Sequence, residues 1–422
     1  MLIVLFYIIG LSTILINIFG PRTFDVLQSF DMFNRPLIIE NQSIAIITII
    51  TKVLFLIICI IVIFFGLIRR KFQLPKQGLT LTIAGLLLFF PVIITSLLSQ
   101  HDGFSYRLFY FPLFVIAAYI SPRIRPSKHI KMIISVLLII IYFSLLSILI
   151  DPSWAFSDYS QSWIGIPIRL FGTSSHPNGL GYVALAYVIL VRMVNKHDFW
   201  SCLSLCAAII VIILTQSKTV WVALVAWLAM EWVIINFSAN KQRIFRTFAF
   251  LLVLILVFAT YLLVFQKDFF IGLNLTLTGR IYVWQISFET WLENPILGYG
   301  PNFWDIYFRQ DYGYLWAGQA HNQFLQTLGE SGILGFGTLL LFFIIIIRVG
   351  SRSAINTNFA SYGIIVALVI RSFFESPLST YSLDQSFLVL AIFWVILLNS
   401  HQTIDEKMTK KKPIWTQDIM ND

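Results

Sequence analysis

The sequence predicts an all-α protein, a polytopic bundle of about twelve transmembrane helices, and three observations carry that expectation. Of the 422 residues, 58% are hydrophobic and only 12% are charged, roughly half the charged share of a soluble domain. The apolar residues gather in runs of about the length that a bilayer core requires. Lysine and arginine concentrate in every other connection between those runs, the pattern of the positive-inside rule. A mean hydropathy of +0.84 agrees, as do 12 Trp, 16 Tyr and 39 Phe, an aromatic load suited to membrane interfaces.

The runs lie at 2–19, 44–68, 79–98, 108–120, 130–150, 179–195, 199–214, 219–237, 247–265, 332–347, 358–374 and 383–399. In hydrocarbon each backbone amide must be paired internally, which a helix does within its own segment. The fourth run is the weakest, being short and carrying Pro112. The first run, MLIVLFYIIGLSTILINIFG, lacks a basic leading region and a small-residue cleavage site, so it reads as a retained span rather than a signal peptide. With the N-terminus in the cytoplasm, segments 69–78, 121–131, 192–200, 238–246, 348–357 and the tail lie inside, and they hold most of the 29 Lys and Arg residues. The others, Arg22, Arg35, Lys52, Arg107, Arg169, Lys218, Lys267, Arg280, Arg309 and Arg371, are spread thinly over outer loops and span ends. One basic residue in 99–107 against four in 121–131 supports the weak fourth span. The net charge of +9 therefore sets topology, and nucleic acid is not an expected partner. The tail motif KMTKKK reads as an anchor to anionic lipid headgroups. Cys59, Cys202 and Cys206 sit inside apolar runs, where cysteine is ordinarily a packing residue.

The expected organisation is spans one to nine over 1–265, an extracytoplasmic loop over 266–331, spans ten to twelve over 332–399, and a basic cytoplasmic tail over 400–422. Segment 151–178 is a second outer loop. Loops as long as 266–331 are as a rule functional. Within it, GRIYVWQISFETWLENP places Ile281, Trp284, Phe288, Trp291 and Leu292 on one helical stripe, ended by Pro295 and the turn GYGPN. A further helix starts at HNQFLQTLGESGILG and runs into the tenth span.

The candidate residues fall near helix starts. Arg280 stands in the first turn of the loop helix, after Thr278 as the expected N-cap. A cation there opposes the helix dipole; it either snorkels to lipid headgroups or, with the helix N-terminus, holds an anion such as phosphate. His321 precedes Asn322 and a helix whose dipole disfavours imidazolium. It is either a capping or interface histidine or a neutral base for a hydroxyl nucleophile. Lys218, in TQSKTVW, is either functional near the membrane interior or at the outer water interface. Arg371 has Glu375 at i+4, the spacing of a helix salt bridge. His176 and Asn178 open a turn and helix in SHPNGLGY, on the same expected membrane face as His321. There is no Walker loop, HExxH, dinucleotide fingerprint, Asp-x-Asp pair or serine elbow, so no cofactor or metal is expected. Chemistry on the outside needs a preactivated substrate, and a lipid diphosphate brings its own leaving group.

The blocks GRIYVWQISFETWLENPILGYGPNFW and HNQFLQTLGESGILGFGTLLL, with SHPNGLGYVALAYVILV and TQSKTVWVALVAWLAMEW before them, resemble the O-antigen ligase and polymerase family across roughly 165–375. The resemblance implies a GT-C-like membrane glycosyltransferase that moves a glycan from polyprenyl diphosphate to a hydroxyl with inversion and without a metal. It implies His321 as base or acceptor-positioning residue and Arg280 as diphosphate clamp, the two catalytic candidates. Lys218, Arg371, Asn178 and Asn322 are the expected substrate-binding residues; Lys218 stands where the family often has arginine, keeping the charge but not the bidentate geometry. The loop aromatics Tyr282, Trp284, Trp291, Tyr299, Trp304, Tyr307, Tyr312, Tyr314 and Trp316 are either sugar-stacking surfaces or interface anchors. The implied partners are a polyprenyl-diphosphate-linked oligosaccharide, membrane lipids and other polysaccharide-export components. The favoured activity is polymerisation of lipid-linked repeat units for capsule, exopolysaccharide or O-antigen at the outer face of the bacterial cytoplasmic membrane. The alternatives are a ligase passing a finished glycan to lipid A core, protein or another acceptor, and a flippase for such lipids. A transporter should carry internal repeats, and the sequence has none.

Overall fold

A computed structural model describes residues 1–19, 42–69, 78–98, 105–121, 126–159, 162–194, 198–237, 240–266, 268–269, 279–314, 317–379 and 381–410. The described chain is helical almost throughout. In order it forms α1 (Leu2–Phe19), α2 (Gln42–Arg69), α3 (Leu79–Leu98), α4 (Tyr110–Ile120, led in by a 3-10 turn), α5 (Pro126–Ile150) and α6 (Pro152–Ala155). A two-stranded antiparallel hairpin follows, β1 (Phe156–Asp158) and β2 (Ile168–Leu170). The remainder is α7 (Pro177–Val191), α8 (Phe199–Thr215), α9 (Lys218–Phe237), α10 (Lys241–Phe265), α11 (Arg280–Glu293), α12 (Ile306–Tyr312), α13 (Gln323–Ser353), α14 (Ala360–Phe374) and α15 (Gln385–Lys410).

Seven of these helices are long and apolar enough to cross a membrane, and five shorter apolar ones accompany them. Together they coincide with the twelve apolar runs, including the weak fourth. The protein is an all-α polytopic membrane protein. Its outer helices turn apolar side chains outward: Ile46, Ile49, Val53, Ile57, Ile60 and Phe64 form an exposed stripe along α2. Such a stripe at helical spacing is stable only against lipid. At the centre, α14 is buried along its whole length from Ala360 to Phe373. It packs against α7, α9, α10, α13 and α15. Its Tyr362 stacks on Phe245 of α10 with centroids 3.7 Å apart.

The tenth apolar run is the second half of a longer element. Helix α13 starts at Gln323, where Asn322 accepts hydrogen bonds from the backbone amides of Phe324 and Leu325. It is broken at Ser331 (φ −146°, ψ 15°) and Gly332 (φ 62°, ψ −157°). The turn after α11 docks into the break: Ile333 N donates to Pro295 O at 2.9 Å and Tyr299 N to Gly329 O at 2.6 Å. Thr95 of α3 closes the joint by donating to Leu297 O at 2.9 Å. This segment thus has its own small core, in which Trp284, Phe303, Trp304 and Phe308 pack with Leu325 and Phe373.

Gly332 occupies backbone space that side-chain-bearing residues essentially do not enter, and a Cβ there would lie 2.2 Å from Ile296 O. Replacing Gly332 by Ala should therefore destabilise the protein by about 2 kcal/mol or more. Thermal unfolding of the purified protein in detergent measures this, and a parent-like melting curve would contradict the role given to the break.

Candidate functional site

One carboxylate organises the polar end of the bundle. Glu375 caps the C-terminus of α14 with extended backbone angles, which swing its side chain away from the helix it follows. Its Oε1 accepts from Arg280 Nη2 at 2.9 Å and from Asn178 Nδ2 at 2.7 Å. Its Oε2 faces His321 Nδ1 at 3.0 Å and accepts from Gln319 Nε2 at 2.8 Å. These donors come from the first turns of α11 and α7 and from the chain leading into α13. Burial by itself would raise the Glu375 carboxyl, but the charges of His321 and Arg280 outweigh it and hold the group well below the usual carboxylate range.

His321 is placed by its backbone as much as by its ring. It has a positive φ of 51°, a conformation that costs an L residue roughly 1–2 kcal/mol. Trp284 Nε1 donates to its carbonyl at 3.3 Å, and the next residue is the N-cap of α13. An ionised carboxylate only accepts hydrogen bonds, so Nδ1 carries a hydrogen in either charge state, and when the ring loses its other proton the lone pair is on Nε2. That tautomer is the one a proton-accepting histidine needs.

Around this pair lie further cations. Arg169, on β2, donates from Nη2 to Asn178 Oδ1 and from Nε to Thr215 O, each at 3.1 Å, and lies 4.6 Å from the centre of the Tyr159 ring. Burial pulls its pKa down to about 10, with Arg280 adding to the fall and Tyr159 and Glu375 opposing it. Lys218 begins α9 with its Nζ 4.7 Å from the Trp163 ring centre, within electrostatic range of Arg169 and Arg280. His176 is the N-cap of α7, where Nδ1 accepts from Asn178 N at 3.1 Å. Desolvation lowers its pKa from 6.5 to about 3, against the pull of Glu375 and with Arg169, His321 and Arg280 reinforcing the fall.

Of the residues singled out in the sequence, Arg280, His321 and Asn178 meet on Glu375, and Lys218 stands close by. The expected Arg371–Glu375 helix salt bridge does not form. Arg371 Nη2 donates instead to Ser386 Oγ at 2.9 Å, and the guanidinium lies 3.8 Å over the Tyr182 ring, while Glu375 has left the helix to serve other donors. Asn322 is fully buried, and its amide is spent inside the fold: besides capping α13 it donates to Thr260 Oγ1 at 2.9 Å and Phe373 O at 3.1 Å. It directly follows His321, and its side chain is held inside the fold. Trp284 and Trp304 are buried in that small core, whereas Tyr282, Tyr307 and Tyr312 are exposed. Thr278 and Trp316 lie outside the described residues, and Gly279 (φ 83°) occupies the N-cap of α11. Sequence reading missed Glu375 as the hub, together with Gln319 and Arg169; no local spacing links them.

The shifted histidine has a measurable consequence. His176 is held neutral in the fold, so the unfolded chain binds the extra proton as pH falls below 6.5, and stability is lost from there toward about pH 3. Glu375 adds its own loss only below the ordinary carboxylate range. In detergent, the unsubstituted protein should melt lower at pH 5 than at pH 7.5, and His176→Asn, which keeps an N-cap acceptor, should narrow that difference. An equal pH response in both proteins would refute the assignment.

Comparison with known families bears on this arrangement. Residues 203–340 match a family model described as O-antigen ligase, a segment that contains Lys218, Arg280 and His321 and ends before Glu375. A search of curated proteins finds no match. Over that segment, which runs from α8 into α13, the chain is similar to the O-antigen ligase model, and the match lies within the bundle of apolar helices.

Proposed function

We propose that the protein is a polysaccharide polymerase that joins oligosaccharide repeat units carried on polyprenyl diphosphate, at the outer face of the cytoplasmic membrane, by metal-independent inverting transfer. The family's glycosyltransferase-like chemistry is the base of this reading. The observation that carries it is the Glu375–His321 pair, with Arg280 held on the other oxygen of the same carboxylate. The distribution of lysine and arginine supports an outward orientation for this end of the bundle and cytoplasmic termini.

In the proposed reaction an acceptor hydroxyl gives its proton to His321 Nε2 as its oxygen attacks the anomeric carbon of the donor sugar. The bond from that carbon to the diphosphate oxygen breaks, and the leaving diphosphate takes the electron pair. Glu375 fixes the ring tautomer and stabilises the imidazolium that forms. Arg280, Lys218 and Arg169 stabilise the charge that grows on the diphosphate, helped by the positive N-terminal ends of α7, α9 and α11. A single displacement inverts the anomeric centre. Asn178 joins Arg169 to Glu375 and keeps the cation and the base in register.

Glycan length in a strain whose sole copy carries His321→Ala or Arg280→Ala tests the reading. A polymerase predicts collapse of a ladder to single lipid-linked repeats, with activity reduced about 10²–10⁴-fold for the histidine variant. Glu375→Gln should fall between these and the parent, since it keeps the shape but not the charge. Intact polymer left on its lipid carrier would mean a ligase instead, and normal glycan in both alanine variants would defeat the enzymatic reading.

A further inference from the structure

A cavity of about 240 Å³ opens beside Glu375, between the end of α14, the chain following it and the start of α15. Gln319, Arg371, Glu375, Ser376, Asp384 and Ser386 are among the residues that line it. Two of the lining residues, Arg371 and Ser376, carry side-chain polar atoms, Nη1 and Oγ, that are closed to water and have no hydrogen-bond partner among the described residues. Their residues are only 8% and 6% exposed, and a buried polar atom left unpaired is costly enough to need an explanation. Arg371 cannot simply swing away to find a partner. Its Nη2 is tied to Ser386 Oγ and its guanidinium rests on the Tyr182 ring.

We infer that this cavity seats a neutral, hydroxyl-rich sugar ring, the one whose hydroxyl becomes the nucleophile; this rests on the polymerase reading above. The wall chemistry selects such a ligand. Arg371 and Ser376 bring a donor and a hydroxyl with no partner among the described residues, Asp384 adds a carboxylate, and Glu375, whose oxygens already accept from Arg280, Asn178, His321 and Gln319, adds its negative charge. A phosphate group only accepts and would meet two carboxylates, whereas a polyol both donates and accepts. Glu375 belongs to the cavity wall and also holds His321, so a ring seated there lies one carboxylate away from the base. Arg371 and Ser376 thus become acceptor-binding residues, separate from the cations that face the diphosphate.

The test is calorimetric titration of the full-length protein in detergent with the oligosaccharide repeat unit released from its lipid by mild acid. The unsubstituted protein should bind it saturably, and Ser376→Ala should weaken binding about five- to tenfold, the effect of one hydrogen bond. Because the Ser376 hydroxyl has no hydrogen-bond partner among the described residues, its removal should leave the melting temperature undiminished, which separates a ligand contact from a structural role. Arg371→Lys, which keeps the charge and loses the fork, should also weaken binding. His321→Ala should bind the oligosaccharide like the parent and lose transfer. No saturable binding to the unsubstituted protein, or unaltered binding in both S376A and R371K, overturns the sugar seat alone. Transfer persisting in H321A overturns the polymerase reading, and with it the acceptor role of the cavity, whatever the titration gives.

Discussion

A charged carboxylate removed from water must be surrounded by donors, because the protein interior otherwise makes its ionisation too costly. In this bundle that demand falls on Glu375, and four side chains from three separate stretches of the chain answer it. The constraint is geometric as well as energetic. Donors with one shared acceptor must all arrive within about 3 Å of it, so the first turns of α7 and α11, the approach to α13 and the end of α14 are fixed relative to one another. The apolar helices supply the bulk of the packing, but the carboxylate decides how their polar ends meet.

The same interaction joins electrostatics to chemistry. His321 is held in a left-handed backbone conformation, which costs energy that the Trp284 hydrogen bond, the α13 cap and the carboxylate together offset. Strain at a residue so firmly held is a mark of function. Arg280 sits at the positive end of α11, where a cation is unfavourable without an anion; Glu375 provides the resident anion, and a diphosphate would add a second. One carboxylate therefore holds both the imidazole and the guanidinium.

The bundle was legible in the sequence because hydrocarbon imposes a length on every apolar run, and each run became a helix. Arg280 and His321 were legible because both stand at helix starts, where a dipole makes a charged or basic residue conspicuous. The hub was not. Arg280 and Glu375 are 95 residues apart, and the i, i+4 rule paired Glu375 with Arg371 instead. That rule assumes a helix that continues, and here α14 ends at Phe374, releasing the carboxylate. Asn322 looked like a ligand contact because it follows the histidine, but an asparagine directly before a helix is also the ideal cap. The tryptophans of 266–331 divided for a similar reason: Trp284 and Trp304 were needed to give a long loop a core of its own. Arg169 offered no signal, since its hairpin is only three residues to a strand.

The lengths of α7 and α14 carry a last implication. Each has 15 residues, about 22 Å of helix at 1.5 Å per residue, while the hydrocarbon layer is about 30 Å thick. Helices that short cannot bridge headgroup to headgroup. Because neighbouring helices and not lipid surround them, helices of this length can end short of the bilayer surface without the bilayer deforming around them.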